Sequence, residues 1–121
     1  MGYRMEKDFD TLKAKKFLER RESVEKERRE QERIATLRIV VDGLKELFFQ
    51  SEVEAYLVGS ITQPYVFYPH SDIDIVIKNF KDDRFDLWTQ LETMFKRNVE
   101  IVIFENCHFQ EHVIKTGYKV F

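Results

Sequence analysis

Apolar positions along this chain change their spacing several times, and each change marks an element. Ile34, Leu37, Val41, Leu44 and Phe48 recur every three or four residues, the period of one helix face. Residues 53–58, 72–77 and 99–104 are short runs rich in Val and Ile, and they predict three strands. Phe85, Trp88, Leu91 and Phe95 predict a helix with these residues facing inward, capped by Asp82 or Asp83 and ending near Lys96. A last helix is expected over 109–116, closed by Gly117 in the left-handed conformation. The fold class that follows is α/β, a small mixed sheet of about three strands packed with helices.

The first third of the chain reads differently. Residues 6–33 are dense in charge, and Glu22/Lys26 and Glu25/Arg29 stand four apart in the order that supports a helix. Neither Gly nor Pro interrupts this stretch, and between Glu19 and Arg33 only Val24 is strongly apolar. Residues 1–33 are therefore expected to form a solvated helical arm, continuous with a domain spanning 34–121. Phe9, Leu12, Phe17 and Leu18 would seed any docking of that arm on a partner; the alternative is a frayed charged extension. Heptads are not sustained, which disfavours a long coiled coil.

Chemistry concentrates between residues 59 and 100. Gly59-Ser60 closes one strand, and Ser71-Asp72-Ile73-Asp74-Ile75 opens the next, with Asp72 twelve residues after Ser60. Alternate strand residues share a face, so Asp72 and Asp74 point one way while Ile73 and Ile75 enter the core. Neighbouring carboxylates repel unless a cation neutralises them. Mg²⁺, held by one or two carboxylates and completed by substrate phosphates, is the usual solution. Glu100 interrupts a β-branched run and would complete a three-carboxylate cluster if its strand lies beside the first. Two ions bridged by such a cluster stabilise the attacking and leaving oxygens of an in-line displacement. A Gly-Ser turn lets phosphates approach the backbone, with Gly59, Ser60 and Ser71 as the candidate cradle. These parts point to phosphoryl or nucleotidyl transfer.

The ordered set Gly59-Ser60, Asp72-x-Asp74 and Val99-Glu100-Ile101 resembles the nucleotidyltransferase superfamily that includes DNA polymerase β. Phe85-Asp86-Leu87 and the closing Ile114-x-x-Gly117-x-x-Val120 bring it nearest to the minimal nucleotidyltransferase (MNT) proteins, with the likeness running from about Ile34 to the end. The family often carries Ala-Arg-Gly after Gly-Ser, where this chain has Ile61-Thr62-Gln63-Pro64, and usually has Asp where Glu100 stands. The resemblance implies transfer of AMP from ATP to a hydroxyl, with two Mg²⁺ on Asp72, Asp74 and Glu100. It implies an antitoxin whose partner is a HEPN-type toxin, modified on tyrosine. The alternatives are a non-catalytic module that neutralises its partner by occlusion, and nucleotidyl transfer to RNA or a small molecule.

Composition bounds these readings. At 121 residues there is room for one domain, and no run approaches the ~20 apolar residues that span a bilayer. The N-terminus lacks the apolar core of a secretory signal. Cys107 is the only cysteine, which excludes an internal disulfide and fits a cytoplasmic protein. Net charge is −2, with 13 Lys/Arg against 11 Asp/Glu in residues 1–50 and 7 against 11 in the rest, so no basic stripe argues for nucleic acid. An oligomer is left open. Cys107, His108 and His112 lack the further ligands zinc needs and read as a surface helix. His70 is expected to pack in its loop, and Tyr65, Phe67 and Tyr68 either stack on a purine or cover the sheet edge. No Walker loop or nucleophile elbow is present.

Overall fold

The computed structural model describes residues 2–121, residues 2–9 by their helical backbone alone. Helix α1 (Gly2–Leu47) runs through residue 33 without a break, because no Pro interrupts it and Gly43 is its first internal glycine. That glycine has a packing role: a methyl there would stand 2.8 Å from Cε1 of Phe95, so its absence lets α1 approach helix α2 (Arg84–Phe95) closely. Strands β1 (Glu54–Val58), β2 (Ile73–Lys78), β3 (Val99–Ile103) and β4 (Tyr118–Lys119) form one sheet in the order β3-β2-β1-β4. β1 is antiparallel to β2 and β4, whereas β2 and β3 are parallel, as a strand–helix–strand crossover through α2 requires. No described helix is long and apolar enough to cross a membrane.

The central strand carries the core. Ile73, Ile75 and Ile77 are buried against Leu57, Val99, Leu87, Leu91, the α1 residues Val40 and Leu44, and Phe48 in the turn after α1. On the opposite face, helix α3 (Gln110–Thr116) contributes Val113 to a smaller cluster with Tyr56, Val76 and Phe104. Full burial of each Ile is worth about 1.5–3 kcal/mol, so β2 anchors whatever its ends display.

Several local expectations shift. α2 buries Leu87 and Leu91, while Phe85 and Trp88 face outward, because the helix meets the sheet through 87 and 91. Asp83 is its cap, accepting the Phe85 N–H at 2.8 Å, and the left-handed residue at its end is Lys96. Gly117 is instead extended, since it leads directly into β4, the fourth strand that the two-residue segment 118–119 was too short to announce. Ile34 is exposed; the inward face of α1 is set by Val40 and Leu44, and Phe48 in the turn after it continues that buried line.

The arm divides in two. Residues 10–28 are exposed, and Leu12, Phe17 and Leu18 touch no core; Phe9 lies outside the residues whose side chains are described. Beyond them, α1 grips the loop that follows β1. Arg33 Nη1 donates to Ile61 O at 3.0 Å, and Nε donates to both oxygens of Glu30 at 3.0 and 3.1 Å. Glu30 Oε2 in turn accepts the Tyr65 N–H at 2.8 Å. Those bonds, that from Arg33 first, hold the Glu30 carboxyl below the usual carboxylate range. A second guanidinium closes the loop from below: Arg97 Nη1 donates to the carbonyls of Tyr68, Pro69 and Ser71, and Nη2 pairs with Glu32 at 3.2 Å.

Removing residues 1–20 should therefore move the melting temperature by no more than about 2 °C, since little apolar area is lost. Arg33→Ala should lower the melting temperature by about 4 °C or more, because Ile61 O loses its donor and Glu30 keeps only the Tyr65 N–H. Calorimetry of both variants checks the pair; a comparable loss from the truncation would make the exposed arm part of the core.

Candidate active site

The register of the sheet assembles the acidic residues. Val58, Asp74 and Glu100 are partners across β1, β2 and β3, so their side chains stand in one row on the face that α3 partly covers. The next row is Tyr56, Val76 and Val102, all apolar apart from one phenol, and beyond it Lys78 pairs with Glu54 at 3.6 Å. The acidic row thus borders an apolar one and cannot reach the nearest cations of its own face. Burial first, then the charge of Glu100 and a hydrogen bond with it, then Asp72, push the Asp74 carboxyl up to about 6. Raised this far, the carboxyl takes up a proton below about pH 6 and is ionised above it.

Gly59 completes this corner. It begins a short 3₁₀ turn over Gly59–Thr62 with φ of 77°, a left-handed conformation that favours glycine, and a side chain there would collide with Asp74 Oδ2. The turn is held by Thr62 Oγ1 donating to Gly59 O at 2.7 Å and by the Arg33 bond to Ile61 O. Ser60 is not the cap of that turn, whose cap position is Val58, and it is only partly buried beside Gly59. Ser71 differs: its Oγ accepts the Tyr68 N–H at 2.8 Å, closing the loop rather than joining Gly59 and Ser60.

Asp72 lies two residues before Asp74 and borders, with Glu100, an open cleft of about 740 Å³ along β3. Among the described residues no three His, Cys, Asp or Glu side chains close into a ready cage for a metal ion. Mg²⁺ does not demand one, because it keeps several waters and takes one or two carboxylates with substrate phosphates. The donor set here is all oxygen, with Asp74 partly buried and Asp72 and Glu100 exposed beside it, which fits that ion. His108 and His112 form no metal group either.

The aromatic loop takes neither of its two expected roles cleanly. Phe67 is buried under Arg97, whose guanidinium lies 4.4 Å from the ring centre. Tyr65 and Tyr68 face Lys26 and Arg29 of α1, and His70 stacks on Tyr68 at 6.1 Å. The aromatic beside the glycine turn is instead Phe109, which with His112, Thr62 and Gly59 lines a recess of about 290 Å³. No local signal pointed to Phe109: it lies fifty residues from Gly59 and reaches it only through the packing of α3 on β1.

Among curated proteins no similar sequence is found. The chain's structure is similar to a chain in the crystal structure of a mutant of the toxin-antitoxin MntA-HpeT, with a TM-score of 0.54, 19% identity, and coverage of 67% of this chain and 71% of that one. At that identity the likeness is one of fold. The sequence family described as Polymerase beta, Nucleotidyltransferase matches residues 44–121. That span holds the glycine turn, both aspartates and Glu100, and on it the chain belongs to the polymerase beta nucleotidyltransferase family.

Proposed function

We propose that this protein transfers AMP from ATP to a hydroxyl on a partner protein, and that it acts as the antitoxin of a toxin–antitoxin pair. The observation that carries the reading is the row in which Asp74 and Glu100 meet beside Gly59, inside a nucleotidyltransferase family domain. The MntA-HpeT structure, a toxin-antitoxin, supports the partner class, and the MNT resemblance of the sequence narrows it to a HEPN-type toxin modified on tyrosine.

Asp72, Asp74 and Glu100 would hold two Mg²⁺, which supply charge neutralisation for the phosphates and for both oxygens of an in-line displacement. Gly59 and Ser60 would receive the β- and γ-phosphates, with the nucleoside in the recess of Phe109 and His112. The acceptor oxygen forms a bond to the α-phosphorus while the α–β bridging bond breaks, and pyrophosphate departs. Glu100, exposed and on the side away from Gly59, takes the hydroxyl proton. Such reactions draw most of their acceleration from positioning and electrostatics. Arg33 contributes by pinning the phosphate turn; its own charge is met by Glu30, so it does not replace the arginine missing after Gly-Ser.

Calorimetric titration with Mg²⁺ and ATP should show binding that weakens at least about tenfold in Asp72→Asn/Asp74→Asn, a loss typical of removing charged ligands to a bound cation. Unchanged affinity in a folded double variant would sink the catalytic reading. With labelled ATP, Mg²⁺ and the toxin encoded beside this protein, the toxin should acquire AMP, and Glu100→Ala should slow labelling more than about tenfold. Tight association with no labelling from any nucleotide would favour neutralisation by occlusion instead.

A pH dependence follows from Asp74. Its folded pKa lies above the ordinary 3.8, so it stabilises the folded chain at low pH and loses that contribution as pH rises toward and through about 6. If about 1 kcal/mol survives solvent screening, the metal-free chain should melt about 4 °C higher at pH 5 than at pH 7.5, relative to Asp74→Asn. Mg²⁺ competes with the same proton, so its affinity should run the opposite way and fall below pH 6. A pH slope shared by the variant would assign it to other groups.

A further inference from the structure

The charges of α1 are sorted by the side of the helix they occupy. Val40 and Leu44 mark the side that meets the sheet, and the residues before them on that side are already engaged: Arg33 with Glu30, Arg29 over Tyr68 and Lys26 over Tyr65. On the opposite side Phe17, Val24 and Gln31 recur every seven residues, and so do Arg21, Arg28 and Ala35. Each member of the second set stands four after one of the first, so the two sets form a single stripe. Arg20 and Arg38 border the stripe, and Ile39 continues it four residues after Ala35. All of these side chains are exposed, Phe17, Val24 and Ile39 at 64%, 58% and 59%. Acidic residues stand beside the stripe rather than on it, Glu25 and Glu32 along one flank and Glu27 along the other. Arg21 reaches Glu25 at 3.4 Å, an exposed pair that yields readily to a better partner. A net charge near zero thus conceals a cationic, partly apolar face that points away from the domain.

We propose that this stripe docks one acidic amphipathic helix of a partner protein, its apolar side chains against Phe17 and Val24 and its carboxylates against Arg21 and Arg28. The spacing selects a helix, because the unit of apolar residue and arginine repeats after seven residues, the interval at which two packed helices present equivalent positions to each other. The chemistry selects carboxylates, which a guanidinium fork binds through paired hydrogen bonds. The width selects against a nucleic-acid duplex or a bilayer. A surface that broad would press on Glu25, Glu27 and Glu32 as well, whose charge repels phosphate, and it would leave Phe17 and Val24 facing phosphates. A helix about 10 Å across meets the stripe alone. A second copy of α1 would set arginine against arginine, so the partner is a different chain. None of these residues lines the cavities beside Asp74 and Glu100, and the proposal stands apart from the nucleotidyl-transfer reading.

The full chain, without ATP or Mg²⁺, is titrated at about 150 mM salt into a fluorescein-labelled, helix-forming peptide of three Leu-Ala-Gln-Glu-Ala-Ala-Gln repeats, and binding is read by anisotropy. Saturable binding is expected, weakened at least about tenfold by Arg21→Glu/Arg28→Glu and about fivefold by Phe17→Ala. These side chains are exposed, so the melting temperature should hold in both variants. A peptide with Lys in place of Glu should show the reverse preference and bind the Arg21→Glu/Arg28→Glu chain more tightly than the natural one. Lys15→Glu/Lys81→Glu makes the same change of net charge away from the stripe and should keep the natural affinity within about twofold. No saturable binding below about 1 mM, an equal loss in the two charge-reversed variants, or tighter binding of duplex DNA or phosphatidylserine vesicles than of the peptide would overturn the proposal.

Discussion

Two carboxylates facing each other across adjacent strands are the constraint on which this end of the molecule depends. Asp74 and Glu100 repel when both are ionised, and an apolar row made by Tyr56, Val76 and Val102 separates them from Lys78. The arrangement survives because β2 is locked elsewhere: Ile73, Ile75 and Ile77 are wholly buried and hold the backbone whatever the charges prefer. Burial and like charge together are what hold the Asp74 carboxyl above its ordinary range.

The glycine turn follows from the same row. A side chain at position 59 would occupy the space of Asp74 Oδ2, and the left-handed backbone there favours glycine. Its rigidity comes from outside the sheet. Arg33 on α1 bonds to Ile61 O, Glu30 bonds to Tyr65, and Arg97 gathers three carbonyls of the same loop. The helix that carries the exposed arm is therefore joined by hydrogen bonds to the loop that begins beside Asp74.

Cavities flank the row on both sides. Toward β1 and α3 lies a small recess beside Gly59, with Phe109 and His112; toward β3 lies the larger cleft with Phe85 and Trp88. A mixed sheet produces this separation directly. The antiparallel β1–β2 pair puts the turn after β1 next to the start of β2, and the parallel β2–β3 pair puts the start of β3 there as well. Three strand ends thus converge on one corner from both flanks.

Local periodicity in the sequence determined the helices and three of the four strands, because a period of two or 3.6 residues depends only on backbone geometry, but β2 opens at Ile73 and leaves Asp72 just before it rather than on a strand face with Asp74. It also marked Glu100 as a charge with no place in a buried strand. Pairings between distant segments were beyond its reach. Whether Phe85 or Leu87 faces the core depends on the angle at which α2 meets the sheet, and both satisfy a helical period with Leu91 or Trp88. Gly117 looked like a helix stop, but the next residues pair with β1 and require an extended backbone. The grip of Arg33 on Ile61 spans 28 residues, and that of Arg97 on Tyr68 spans 29. Such contacts exist only after the core has packed, because burial of β2 is what brings α1, the loop and the start of β3 within hydrogen-bonding distance of one another.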